Sequence, residues 1–344
     1  MRLLNPIEEP NWNEQIAEFS EATVFHTAEW ARVLSETYGY RPGYYVEYDG
    51  ENMSLIAPFM EVDSWLTGKR GVSLPFTDSC DFILRNGSKC DSVIDRICDI
   101  GQQRGWRYVE TRGESVDPQE STSPTFYTHK LNLHRSEAEL FDSLSSSVRR
   151  AIRKAEKSGL EVTIGTSPES VREFYRLNCL TRRRHGLPPQ PFRFFEILGR
   201  QVLETGSGFV VLACLGDTPI AGAIFLHFGK RAIYKYGASD FDHRLLRGSN
   251  LVMWEAIKRY LGDGHDEFSF GITHVDNDGL RRFKQGWGTT EQGFSYARYT
   301  LPGRNLSEQS EYTERLSGWH NRLFRMAPTP VSRFVGAMLY RHVA

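Results

Sequence analysis

The chain has 344 residues, with 42 lysines and arginines against 43 aspartates and glutamates. That length accommodates two domains. The charge balance excludes a globally basic chain, and nothing in the overall charge points to nucleic acid or to a polyanionic partner. The cysteines (Cys80, Cys90, Cys98, Cys179 and Cys214) are scattered and odd in number, with no C-x-x-C pair, which favours a reducing compartment and argues against a zinc site. The segment Met1 to Pro10 has no apolar core of signal-peptide type, and no stretch approaches the roughly 20 apolar residues of a spanning helix. The expected location is cytoplasmic.

In chain order, Trp12 to Tyr38 reads as helical, clearest over Thr27 to Leu34, with Thr27 as N-cap. Tyr44–Tyr48 and Met53–Val62 read as strands joined at Asp49-Gly50, a favoured hairpin turn. Val72–Phe76 is a third strand. Asp91–Arg104 is a helix with Val93, Ile94, Ile97 and Ile100 on one face; Gly105 ends it and Trp106–Glu110 is the next strand. Gly113–Pro124, rich in Ser, Pro, Asp and Glu, is a loop before a strand at Thr125–Leu133. A second unit starts near Ser136, with a helix over Glu137–Ser158 closed by Gly159 and a strand at Leu160–Ile164. Helices follow at Pro168–Arg183 and Phe192–Thr205, around a proline-rich loop. Phe209–Leu215 and Thr218–Phe228 form a hairpin across Gly216-Asp217.

The stretch from Tyr234 to Tyr299 organises the rest. A strand at Ala232–Ala238 leads through a polar loop to a helix opened by Gly248-Ser249-Asn250, with Ser or Asn as N-cap, and running through Leu251, Trp254, Ile257 and Tyr260. Phe268–Gly271 is a short strand. Asp276 to Gly288 then reads as a basic loop with Arg281, Arg282 and Lys284 around Phe283, a place to hold an anion or a developing negative charge. The order helix, glycine, strand occurs at Arg104-Gly105 and again at Asp263-Gly264, each time after antiparallel hairpins. It predicts duplication of one mixed α/β unit of roughly 130–160 residues.

Three basic features are candidates for chemistry. On a helix, Arg149, Arg150, Arg153, Lys154 and Lys157 crowd one broad face while Val148, Ile152 and Ala155 are buried. Like charges at i, i+4 repel, so the face is either a polyphosphate or RNA surface or a solvated one. Thr181-Arg182-Arg183-Arg184 ends a helix, where cations also suit the helix dipole. In Arg281-Arg282-Phe283-Lys284 at least one cation points inward, because Phe283 and Trp287 must pack; Lys284 is that cation and the first catalytic candidate. Asp276, Asp278 and His274 are candidates to shuttle protons, with Asp276 the second catalytic candidate. Tyr234 and Tyr236 read as sharing one strand face, placed to stack on a ligand or to pack. Neither a G-x-S-x-G elbow nor H-E-x-x-H occurs, and no metal is expected.

As an ordered set, five motifs resemble the FemAB/FemX-type peptidoglycan-bridge aminoacyltransferases, relatives of the Gcn5-related N-acyltransferases (GNAT). They are Arg149-Arg150-Ala151-Ile152-Arg153-Lys154-Ala155 before Gly159, Thr181-Arg182-Arg183, Tyr234-Lys235-Tyr236-Gly237-Ala238, Phe270-Gly271 and Phe283-Lys284-Gln285-Gly286-Trp287-Gly288. The likeness spans most of residues 10–300. It implies an α/β (α+β) fold of two tandem GNAT-like domains, each a mixed, mostly antiparallel sheet flanked by helices. The expected division is 1–135, 136–300 and a basic tail at 301–344. The resemblance implies transfer of an aminoacyl group from tRNA to an amine of a peptidoglycan, exopolysaccharide or other envelope precursor, with no metal and no tightly bound cofactor. Lys284 would stabilise the reacting carbonyl or contact phosphate; Thr181, Arg183 and Tyr234 or Tyr236 would line the sugar-nucleotide side. Arg149, Arg153, Lys154, Asn250 and Phe283 complete the substrate-binding set. Leu245 to Asn250 departs from the Q/R-x-x-G-x-G/A loop of acetyl-CoA enzymes. Acyl-CoA as donor is the alternative, and a non-catalytic tRNA- or glycan-binding module on the same fold is the third reading.

The tail from Ser317 to Ala344 carries Arg322, Arg325, Arg333 and Arg341 and no acid, among Leu323, Phe324, Phe334, Val335, Met338 and Leu339. Split by Pro328 and Pro330 into two short helices, it reads either as a helix docked on the domain or as an interfacial helix at the inner face of an anionic membrane.

Overall fold

The computed structural model describes residues 2–85, 90–113, 125–301 and 324–342. The chain divides into two compact units: Met1–Thr125 with Phe294–Leu316 and Ala337–Ala344, and Phe126–Gly293 with Ser317–Gly336.

In the first unit, strands β1 (Arg2–Leu4), β3 (Tyr44–Asp49), β4 (Asn52–Ala57) and β7 (Ile83–Leu84) form one antiparallel sheet. Strands β2 (Arg41–Pro42), β5 (Met60–Ser64), β6 (Gly68–Val72), β8 (Tyr108–Thr111) and β16 (Ala297–Thr300) form a second, in the order β16-β8-β6-β5-β2. Helices α1 (Trp12–Ile16), α2 (Ala28–Tyr38) and α3 (Cys90–Gln103) complete it, and Thr27 Oγ1 accepts from Trp30 N at 3.2 Å, the cap expected at α2. The strand expected at Val72–Phe76 lies earlier, at β6, because Leu74 and Phe76 adopt left-handed backbone (φ 55° and 60°) that no strand accommodates.

The second unit holds one seven-stranded sheet. It comprises β9 (Phe126–Asn132), β10 (Leu160–Gly165), β11 (Gly208–Leu215), β12 (Thr218–Phe228), β13 (Arg231–Ser239), β14 (Glu267–His274) and β15 (Thr290–Phe294), ordered β10-β11-β12-β13-β14-β9-β15. Strand β9 belongs here and not with residues 1–125: it is inserted beside β14, pairing Asn132 with Glu267 and Phe126 with His274, so the boundary falls before the strand and not at residue 135. The helix expected over Glu137–Ser158 is two, α4 (Glu137–Ser143) and α5 (Ser146–Lys157), because Ser145 leaves helical geometry to cap the second through Val148 N. Helices α6 (Pro168–His185), α7 (Phe192–Leu198), α8 (Gly248–Gly262) and α9 (Asp278–Gln285) follow. The last replaces the basic loop read from sequence: Asn277 Oδ1 accepts from Leu280 N at 3.2 Å and starts a helix.

Both units repeat one step. A helix ends at a left-handed glycine, Gly105 (φ 72°) after α3 and Gly264 (φ 70°) after α8, and leads into the only strand that pairs parallel in its sheet among the registers described: β6 with β8, and β13 with β14. Such a connection requires a crossover helix. The core of the second unit packs Val148, Ile152 and Ala155 of α5 and Leu251, Trp254 and Ile257 of α8 against Phe225, Phe268 and Trp287. Complete burial of one such side chain as Ile152 contributes about 1.5–3 kcal/mol.

A final helix, α10 (Thr329–Leu339), packs its buried Ser332 and Gly336 inward; Pro330 lies in its first turn and does not interrupt it. A Cβ on Gly336 would lie 2.0 Å from the Pro189 carbonyl oxygen. Gly336→Ala is therefore expected to displace α10, costing about 1–3 kcal/mol in chemical denaturation and speeding tryptic cleavage after Arg333. Unchanged stability and cleavage would mean that this close approach does not hold the helix.

Candidate active site

The site is built where the sheet of the second unit parts. Strands β13 and β14 pair over only three positions, Arg231↔Glu267, Ala232↔Phe268 and Ile233↔Ser269. Beyond them β13 continues on β12 as far as Ala221↔Ser239, and β14 continues on β9 as far as His274↔Phe126. Each strand thus keeps its outer partner and leaves its inner one.

Irregularities on both strands shape the parting. On β13 the register shifts so that Ile224 pairs with Tyr236 and Phe225 with Tyr234, leaving Lys235 as the extra residue of a bulge. Tyr234 and Tyr236 therefore point to opposite faces, not to the one face expected from alternation. Tyr234 packs on Phe225 with centroids 5.7 Å apart, on the side of α5 and α8, and burial pushes its hydroxyl up to about 12. Tyr236 meets Phe194 and Phe195 of α7 edge-on at 5.9 and 5.3 Å. Gly237 is required by the first arrangement, since a Cβ there would overlap the Tyr234 hydroxyl. Thr181 on α6 holds the far end of β13: its Oγ1 donates to Ser239 O at 3.1 Å and accepts from Ser239 N at 2.9 Å.

On β14, Phe270 and Gly271 together face His129 of β9, and Gly271 takes the left-handed conformation (φ 69°) that such a bulge requires. Lys284 is the inward-pointing cation of α9, 3% exposed, and its ammonium donates to Gly271 O at 3.1 Å and Ile272 O at 2.8 Å. His129 is fully buried opposite, and among the described residues neither ring nitrogen has a hydrogen-bond partner; Nδ1 lies 3.8 Å from Glu291 Oε2. Burial first, then the Lys284 charge, push its imidazole down to about 4. Glu291 is occupied by a two-pronged pair with Arg281 at 2.6 and 2.8 Å.

Beside this lies a cleft of about 390 Å³ lined by Ser147, Val148, Arg150, Ala151 and Lys154 of α5, Arg247 and Asn250 at the start of α8, and Arg282, Phe283 and Gly286. Four cations line it and no carboxylate does. Helix α8 begins against it without a side-chain cap: Arg247, in left-handed backbone (φ 62°), holds the cap position expected for Ser249 or Asn250. The helix start is an anion-favouring end. Gly248 lets it approach the sheet, since a Cβ would sit 3.1 Å from Ala221 Cβ.

Of the substrate-binding set read from the sequence, the cleft gathers Lys154, Asn250 and Phe283, together with Arg150 and Arg282 of the basic motifs. The broad basic face of α5 divides. Arg150 and Lys154 line the cleft, whereas Arg149 turns to Asp142 at 3.6 Å and Arg153 lies over the Phe141 ring at 5.3 Å. Arg183 is exposed in the last turn of α6. Asp276 stands on the turn between β14 and α9, its side chain 88% exposed and 3.5 Å from His274 Nδ1. Sequence reasoning missed Arg247 and His129. The first lay in a polar loop with no pattern of its own; the second carried a faint signal, since His129, Leu131 and Leu133 alternate inward. Among the described residues no group of three or more His, Cys, Asp or Glu side chains is placed to hold a metal.

His129 stays neutral when folded because its ordinary range lies near 6.5 and its folded value near 4. Its contribution to stability is thus complete above about pH 6.5 and is lost as pH falls toward 4. Replacing Lys284 by Met should move the His129 titration upward, read by NMR of the imidazole carbons. An unmoved titration would show that the two groups are not electrostatically coupled.

Residues 143–285 match the family model for the acetyltransferase (GNAT) domain. The crystal structure of FemX is similar over 88% of this chain and 98% of that one, at TM-score 0.67 and 16% identity. L-PGS from Bacillus licheniformis is similar over 87% and 93% (TM-score 0.52, 13% identity), and a conserved protein of unknown function from Bacteroides thetaiotaomicron over 84% and 96% (TM-score 0.56, 9% identity). No curated protein matches the chain. Residues 143–285 thus carry an acetyltransferase (GNAT) domain, built around the parted parallel pair and the uncapped helix start, and the chain as a whole is an acyltransferase with a fold similar to that of FemX.

Proposed function

We propose that the chain transfers an aminoacyl group from tRNA to an amine of a cell-envelope precursor. The observation that carries the donor assignment is the cleft in which Arg150, Lys154, Arg247 and Arg282 converge with no lining carboxylate. Helix α5 continues this positive charge through its exposed Lys157, and its 12 residues span roughly 18 Å. A polynucleotide follows such a stripe, whereas the diphosphate of a coenzyme is met by the cleft alone. The motifs resembling FemAB/FemX-type enzymes support the same donor and the envelope acceptor.

The bulge at Lys235 gives the reaction two sides. Tyr234 faces the side of the cleft, and Tyr236 the side of α6 and α7, where Thr181 and Arg183 stand. Donor and acceptor therefore approach β13 from opposite faces and meet at the parting. The acceptor amine attacks the ester carbon of the aminoacyl group. A C–N bond forms, the C–O bond to the terminal ribose breaks, and the proton leaving nitrogen ends on the ribose hydroxyl. Holding the two reactants at one point supplies much of the acceleration. Backbone N–H groups on the separated strand edges, with the buried Lys284 charge behind them, offset the developing oxyanion; one such donor is worth about 3–4 kcal/mol. The proton balance needs no separate base, and Asp276 is assigned no step.

Thermal-shift and anisotropy measurements with charged tRNA, acetyl-CoA and a UDP-linked muropeptide test the reading. Charged tRNA and muropeptide should stabilise the protein and acetyl-CoA should not. Arg247→Ala and Arg282→Ala should each lower the slope of log affinity for tRNA against log salt by about one. Stabilisation by acetyl-CoA alone would make the chain an acyl-CoA-dependent N-acyltransferase. Binding of tRNA with no transfer to any amine would make it a binding module.

A further inference from the structure

Helix α10 is docked by its small residues and exposes its large ones. Ser332 and Gly336 are buried, and the Arg333 guanidinium lies 5.1 Å from the Tyr175 ring centroid. On the outside, Val331, Phe334 and Met338 recur at helical spacing and are 50, 68 and 56% exposed, with Met326 ahead of them at 84%. A solvated helix shows the reverse pattern. Residues 324–342 hold Arg325, Arg333 and Arg341 and neither Asp nor Glu.

We infer that this surface binds an anionic lipid bilayer. Large apolar side chains flanked by arginines are what the headgroup boundary accommodates: the apolar groups enter the acyl edge, and the Arg325 and Arg341 guanidiniums pair with lipid phosphate. A second copy of the chain fits poorly. A two-fold contact sets the same patch against itself, and arginines would face arginines with no carboxylate between them. No helix among the described residues is long and apolar enough to cross a membrane, so contact is with the surface. The inference does not depend on the donor or acceptor proposed above, because vesicles alone test it.

The full chain is sedimented with vesicles of phosphatidylcholine and with vesicles of equimolar phosphatidylcholine and phosphatidylglycerol, at low and high salt. It should pellet with the anionic vesicles and be released by salt. Phe334→Ser with Met338→Ser should weaken binding at least about tenfold, and Arg325→Gln or Arg341→Gln about fivefold each. Phe334 and Met338 are exposed, so circular dichroism of that variant should be unchanged. Three results would overturn the inference: no binding to anionic vesicles, binding that survives Phe334→Ser with Met338→Ser, or a concentration-dependent dimer in size-exclusion chromatography that the same variant abolishes.

Discussion

The second unit depends on one constraint: a parallel strand pair that stops after three positions. Had β13 and β14 paired along their length, their inner edges would be consumed by ladder hydrogen bonds. Instead β12 and β9 hold the strands from outside, and each strand turns away through its own bulge, at Lys235 and at Phe270-Gly271. The gap costs ladder hydrogen bonds, each worth about 1 kcal/mol net. It is held open by groups that cannot close it, namely Tyr234 over Gly237, Thr181 on Ser239 and the Lys284 ammonium on the Gly271 and Ile272 carbonyls.

The electrostatics follow from the same geometry. The Lys284 ammonium is held in the interior by two carbonyl oxygens aimed at one point, and its charge, after burial, helps push the His129 imidazole down. The cations of the cleft are organised in the opposite way. They sit at its open rim, and no lining carboxylate neutralises them. The first kind of charge shapes the protein; the second is available to a ligand.

The mixed α/β class, the hairpins at Asp49-Gly50 and Gly216-Asp217, and the helix–glycine–strand step at Gly105 and Gly264 were legible in the sequence because each rests on local chemistry: turn residues, periodicity, and glycines that alone enter left-handed backbone without strain. The burial of Lys284 was legible too, since Phe283 and Trp287 had to pack. What was not legible depends on partners distant in sequence. The bulge at Lys235 reverses Tyr236 relative to Tyr234, and it exists only through the register with β12. Strand β9 looks like the end of the first half until its pairing with β14 is known. Arg247 carried no pattern, and it lines the cleft only because the start of α8 is set against α5 and α9. The helix at α9 was disguised by its charges, its start resting on a single side-chain cap from Asn277.

The most direct test of the donor assignment is backbone hydrogen exchange of the full chain with and without charged tRNA, read by mass spectrometry. Protection should appear over α5, the first turn of α8 and α9, and leave the strands of the first unit unchanged. Protection confined to the first unit, with those three segments exchanging as they do without ligand, would contradict the placement of the donor in the basic cleft.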